Sequence, residues 1–211
     1  MRSLNEGERL EAVYVNEPGL DLHFLQHAGS VLRLYVVDLL SSGSTDNRIC
    51  VDHEGEGCRT EIFHLSYLKG DARVSTQTCV RHNVGGGTSR QLVKFVLDGE
   101  ARGEFLGELR IAQDAQHTEA EQTNRNLLLS REALMRTRPQ LEIYADDVKA
   151  SHGATTGQLD EAALFYMRQR GIGPETARKM LIAAFLQDVL SDMADERRRD
   201  ELMQAVDSII E

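Results

Sequence analysis

Between Val93 and Ile111 the chain alternates with period two. Val93, Phe95, Leu97, Gly99, Ala101, Gly103, Phe105, Gly107, Leu109 and Ile111 are apolar or glycine, while Lys94, Asp98, Glu100, Arg102, Glu104, Glu108 and Arg110 are charged. That pattern belongs to strands with one buried and one wet face. The run is too long for one ordinary strand, and Asp98-Gly99 predicts a bend that divides it. Shorter apolar runs at Ala12–Val15, Val31–Val37 and Ile62–Leu68 are separated by Gly, Ser, Asp and Asn, the punctuation of strands and turns. Roughly Leu10 to His152 therefore reads as strands, and the lack of helical periodicity argues against βαβ units. An antiparallel sandwich and a coil of stacked short strands both remain open, because no exact repeat at a fixed period decides between them.

Beyond Asp160 the texture changes. Ala163, Leu164 and Met167, closed by Arg170-Gly171, predict a short helix with a C-terminal glycine. Gly173-Pro174 restarts the chain. Ala177, Met180, Leu181, Ala184, Phe185 and Val189 then recur at three- and four-residue spacing, an amphipathic helix. A last helix is expected from about Ala194 to Ile210, its centre Asp195–Glu201 a solvated charged face.

Composition narrows the function classes. Asp and Glu outnumber Lys and Arg by 34 to 24, for a net charge of −10 over 211 residues. Non-specific nucleic-acid binding and anionic membrane surfaces both need the opposite sign. No apolar run approaches the length of a transmembrane helix, and Arg2-Ser3-Leu4-Asn5-Glu6 does not open like a signal peptide. The expectation is a cytoplasmic protein without nucleic-acid or membrane partners. Cys50, Cys58 and Cys79 lack CxxC spacing, which argues against a disulfide framework or a closed zinc site. His53 with Cys50 and Cys58 is a weak candidate for a metal, weighed against a simple turn at Glu54–Gly57. Gly85-Gly86-Gly87-Thr88 leads into a strand instead of a helix and lacks the P-loop lysine, so a turn is expected there.

The stretch from Glu119 to Gln158 carries more. Leu141, Ile143 and Ala145 alternate with Glu142 and Tyr144. Asp146-Asp147 turns the chain, and Val148 and Ala150 resume the strand. Thr123, Asn124 and Asn126 suit stacked turns, where side-chain amides satisfy backbone groups. The segments Gln122–Ser130, Pro139–Lys149, Ser151–Thr155, Gly157–Asp160 and Leu164–Ile172, with Ser89–Leu92 and Leu97–Arg102, resemble the SufB/SufD family of iron–sulfur cluster assembly proteins, nearest its D-type members. The resemblance is strong from about Thr78 to Leu190.

The resemblance implies a mainly β fold: a partial right-handed parallel β-helix over residues 1–155, then a small α-helical domain over 156–211. It implies a non-enzymatic subunit that supports cluster formation and iron acquisition. A SufC-type ABC ATPase is implied on the helical domain, through Phe165, Met167, Arg168, Arg170 and Phe185. A SufB-type subunit, or a second copy in a homodimer, is implied on the β-helix. No cofactor is expected to be held stably; a transient iron ion or cluster would be shared with a partner. His152 matches the family's interface histidine and is the candidate iron or cluster ligand, an imidazole presented outward at a strand end.

Three departures qualify that picture. Ala150 stands where D-type members often have Cys, and a methyl group holds neither iron nor persulfide. Gly153 stands where B-type members have Glu. Typical members are also about twice as long, so the chain reads as the C-terminal half of a larger design. Two alternatives follow: an adaptor that binds the ATPase but has lost cluster chemistry, and a β-helix carbohydrate-active enzyme. The second rests on fold analogy alone and is opposed by an aromatic content of 5%.

Overall fold

The computed structural model describes residues 1–210. Twelve strands come first: β1 (Arg2–Leu4), β2 (Arg9–Val15), β3 (Asp21–Gln26), β4 (Val31–Leu40), β5 (Ser44–His53), β6 (Arg59–Leu68), β7 (Arg73–His82), β8 (Thr88–Leu97), β9 (Arg102–Ile111), β10 (Glu119–Leu128), β11 (Leu134–Ile143) and β12 (Lys149–Gly157). The helices α1 (Glu161–Gln169), α2 (Pro174–Gln187) and α3 (Glu196–Ile210) follow. The strands sort by parity. Odd-numbered strands make one six-stranded sheet in sequence order and even-numbered strands make the other. Their pairings are parallel, as in β5 with β7 and β6 with β8. Each connection therefore crosses to the other sheet and returns one strand further on. The chain is a parallel β-helix, and the antiparallel sandwich is excluded.

The register exposes a repeat that the sequence pattern hid. Arg59 stands beside Thr88, Thr88 beside Glu119, and Glu119 beside Lys149, so one turn takes about thirty residues. Side chains differ from turn to turn; what recurs is a corner. Gly7, Gly29, Gly57 and Gly86 have φ of 69°, 66°, 68° and 70°, and His117 holds the same place at 60°. Each donates its N–H to the following turn, to the carbonyls of Ala28, Glu56, Gly85, Gln116 and Asp147 in order. Left-handed backbone is cheapest for glycine, so the repeat is written in glycine spacing, stretched by turns of unequal length. Asp98-Gly99 turns the chain as expected, with Gly99 at φ 67°. Gly85–Gly87 is a turn ahead of β8.

The two sheets share one interior but differ outside. Leu34, Val36, Ile62, Val80 and Leu109 meet across the axis, and Phe95, Leu97 and Phe105 continue the core. On the outer face of the even sheet, Tyr35, Phe63, Leu65, Leu92 and Val96 are also buried, because α2 and α3 lie on them through Ile182, Leu186, Leu202 and Val206. That double burial explains the nearly continuous apolar runs of β4, β6 and β8, against the clean alternation of β9. Lys94 interrupts the apolar face. Its ammonium donates to the Phe185 carbonyl at 2.6 Å and to Asp188 at 2.5 Å, and lies 4.5 Å from the centre of the Phe185 ring. Burial pushes its pKa down, while Asp188 opposes the shift. Arg33 adds a second tie by donating to the Asp192 carbonyl.

β12 runs on to Gly157 before the helices begin. Asp160 caps α1, accepting from the N–H groups of Ala162 and Ala163. Gly171 closes α1 at φ 85°. The last helix starts at Glu196, and its charged centre is solvated as expected, with Arg197 and Arg198 paired to Glu201.

Candidate functional site at the open last turn

β11 and β12 end their sheets, each with a neighbour on one side only. Residues Ser151 to Gly157 are exposed, as are Ile143 and Tyr144 in the adjoining corner. An uncovered pair of parallel edges with apolar residues beside them is a ready surface for another chain.

His152 sits in the middle of β12, beside Gln122, which in turn sits beside Gln91. Neighbours in register share a face. Gln91 and Gln122 are buried to 0% and 1% exposure, so His152 belongs to the inward-facing row. This corrects the expectation of a histidine turned outward at a strand end: it faces the mouth of the coil and is exposed because no described turn covers it. Ala150 is the next inward position. It continues the row Thr60, Ser89, Ala120 and packs against the core. Asn124 and Asn126 are inside strand β10, not in turns. They pair amide to amide at 3.1 and 2.7 Å and satisfy the carbonyls of Val93 and Thr155.

Deeper in, His53 and His82 stack edge to face at 4.4 Å between centroids. Their Nε2 atoms lie 2.8 Å from Thr60 and Ser89 of the opposite sheet. Both rings press on Gly87, where a Cβ would come within 2.9 Å of either Nδ1. Burial holds His82 down to about 4, and burial with the neighbouring ring holds His53 well below the usual range. Both are neutral at pH 7.

The suggested grouping of Cys50, His53 and Cys58 does not form. Cys50 and His53 are three apart on β5 and face opposite sides. Cys58 lies at a corner, its thiol donating to the Gly55 carbonyl at 3.1 Å. Cys50 and Cys79 are register neighbours and both buried. Burial raises the Cys79 thiol to about 12 and Cys58 upward as well, so these thiols do not ionise at neutral pH. Among the described residues no three His, Cys, Asp or Glu side chains converge on one point. A ligand at His152 would need donors from elsewhere.

The helical candidates separate into two kinds. Phe165 is 61% exposed on α1, a helix with no buried residue, and Tyr166 beside it is 59% exposed. Arg168 and Arg170 are exposed, Met167 half-buried. Arg170 lies over the Tyr166 ring and donates to its hydroxyl. Phe185 is half-buried, packed into the core under Lys94. Sequence reasoning missed Gln91 and Gln122, whose shared row becomes visible only with register, and Tyr166, which the helical periodicity placed on no face.

The chain matches the family model described as SUF system FeS cluster assembly, SufBD core domain, over residues 21–185. It is 39% identical over 152 residues to the iron–sulfur cluster assembly protein SufD of Escherichia coli, covering 72% of this chain and 36% of that protein. It is 35% identical over 179 residues to the SufBD family protein slr0076 of Synechocystis, covering 84% and 40%. It is 41% identical over 167 residues to the chloroplastic protein ABCI7 of Arabidopsis thaliana, covering 78% and 35%. The chain thus spans two-fifths or less of the length of these relatives.

Proposed function

The chain belongs to the SufBD core family of iron–sulfur cluster assembly proteins, and from that premise we propose that it is a non-catalytic subunit of an assembly complex, offering His152 at a shared cluster site. The cluster is cargo, not a resident cofactor. The observation that carries the reading is the open last turn: β11 and β12 are unpaired on their outer side, and His152 faces the mouth they form. A B-type subunit or a second copy docking there would complete the strand pairing and bring the missing donors. The exposed face of α1, with Phe165, Tyr166, Arg168 and Arg170, supports docking of a SufC-type ATPase. Phe185 contributes from beneath, by fixing α2 to the sheet.

Ala150 favours one second reading, an adaptor that holds the ATPase without cluster chemistry. Co-expression with the cognate ATPase and B-type subunit separates the two. His152→Ala is expected to leave the complex assembled and remove most of its cluster. Normal cluster content in that variant leaves the adaptor; failure to form any ternary complex removes the assembly-subunit reading.

A further inference from the structure

Beside His152 lies a buried group with nothing to do. Gln122 is 1% exposed, and neither its carboxamide nitrogen nor its oxygen has a hydrogen-bond partner. The opposite sheet has left room for it: a Cβ on Gly107 would overlap all three carboxamide atoms. One turn deeper in the same row, Gln91 is fully buried with both amide atoms unpartnered, and on the opposite sheet the Thr78 hydroxyl, one turn deeper than its register neighbour Gly107, is unpartnered too. A buried polar group left unpaired is destabilising. A leucine at either position would avoid that cost. Amide side chains in register on parallel strands can chain one to the next, as in Asn and Gln ladders. The next position along this row is the His152 imidazole.

We propose that Gln122 is a positioning residue for His152. Its carboxamide oxygen, rotated off Gly107, accepts the N–H of one ring nitrogen, and the other ring nitrogen is left bare toward the mouth. The Gln122 amide donates in turn to the Gln91 oxygen, and the Gln91 amide crosses to the Thr78 hydroxyl of the opposite sheet, so both idle carboxamides of the row are used. Histidines that hold metals are commonly oriented by such a partner on the second nitrogen. The bare nitrogen suits a borderline transition-metal ion such as Fe(II). The metal half of this inference rests on the proposed ligand role of His152; the hydrogen bond does not.

The test is ring nitrogen-15 NMR of the full chain, with Co(II) titration as a separate readout. Wild type is expected to hold neutral His152 in one dominant tautomer. Gln122→Leu should move the ring signals toward those of a free imidazole and weaken Co(II) binding about tenfold. Gln122→Glu, which keeps the acceptor, should restore the wild-type tautomer, and Gln91→Leu should give a smaller shift in the same direction. If Gln122→Leu fails to fold, Gln122→Met carries the same test. Unchanged ring signals in the folded variant overturn the proposal. If His152→Ala leaves Co(II) binding as in wild type, the ligand reading falls, while the tautomer result still decides the role of Gln122.

Discussion

The odd and even sheets coil around the same core, yet one is bare and the other is covered. On β9 the outward side chains are Arg102, Glu104, Leu106, Glu108 and Arg110, facing water or nearly so. On β6 and β8 they include Phe63, Leu65, Leu92 and Val96, sealed by α2 and α3. The difference teaches where the helical segment draws its stability. Its apolar residues share a single cluster with the sheet, so the helices are fastened to the coil by burial, with Lys94 and Arg33 as polar ties. Only α1 escapes this. It presents no buried side chain, which leaves it free to meet something else.

The sharpest way to break the comparison is to truncate an outward side chain on each sheet. Phe63→Ala is expected to lower stability by about 3–5 kcal/mol in urea unfolding, while Leu106→Ala on the bare sheet should cost less than about 1 kcal/mol. Equal losses would mean that the helices do not seal the even sheet.

Acid should instead attack the seam that both sheets share. His53 and His82 are held neutral in the folded state and protonate freely when unfolded, near 6.5. Their folded values are depressed, so stability is full above 6.5 and falls with pH below it. For His82 the loss continues to about 4 and amounts to roughly 3 kcal/mol. Thermal melts between pH 7 and pH 4 check this, and His82→Asn should flatten the slope. Lys94→Ala comes next. It removes the tie to the end of α2 and should cost about 1–3 kcal/mol, where Arg110→Ala on the bare sheet should cost almost nothing. Smallest of all, Glu201→Ala, on the solvated face of α3, should shift stability by no more than about 0.5 kcal/mol.

Much of this could be read from the chain. Period two over Val93–Ile111 located two strands and the bend between them, and the spacing from Ala177 to Val189 located α2. The parallel coil could not be read from pattern, because inward and outward alternation looks the same in a sandwich. The repeat escaped because turns differ in length and their common element is one left-handed residue, filled by His117 in the corner between β9 and β10. At the site, sequence similarity found His152 but not its direction: facing is settled by its pairing with Gln122, which joins positions thirty residues apart. Phe185 shares its helical period with Met180 and Ala184, which are exposed, and only the placement of α2 on β8 shows that it turns inward.

The glycine corner has a consequence for distance. Because the corners at Gly7, Gly29, Gly57, Gly86 and His117 pass the chain on with nearly the same dihedral and the same backbone bond, the coil is a ruler graduated in strand spacings of about 4.8 Å. From β2 to β12 there are five graduations, or about 24 Å. Whatever docks at the last turn is therefore held at a fixed reach from whatever meets the first. Adding or deleting one whole corner-to-corner unit would change that reach by one graduation, and rotate the two ends by one increment of sheet twist, without altering the chemistry at either.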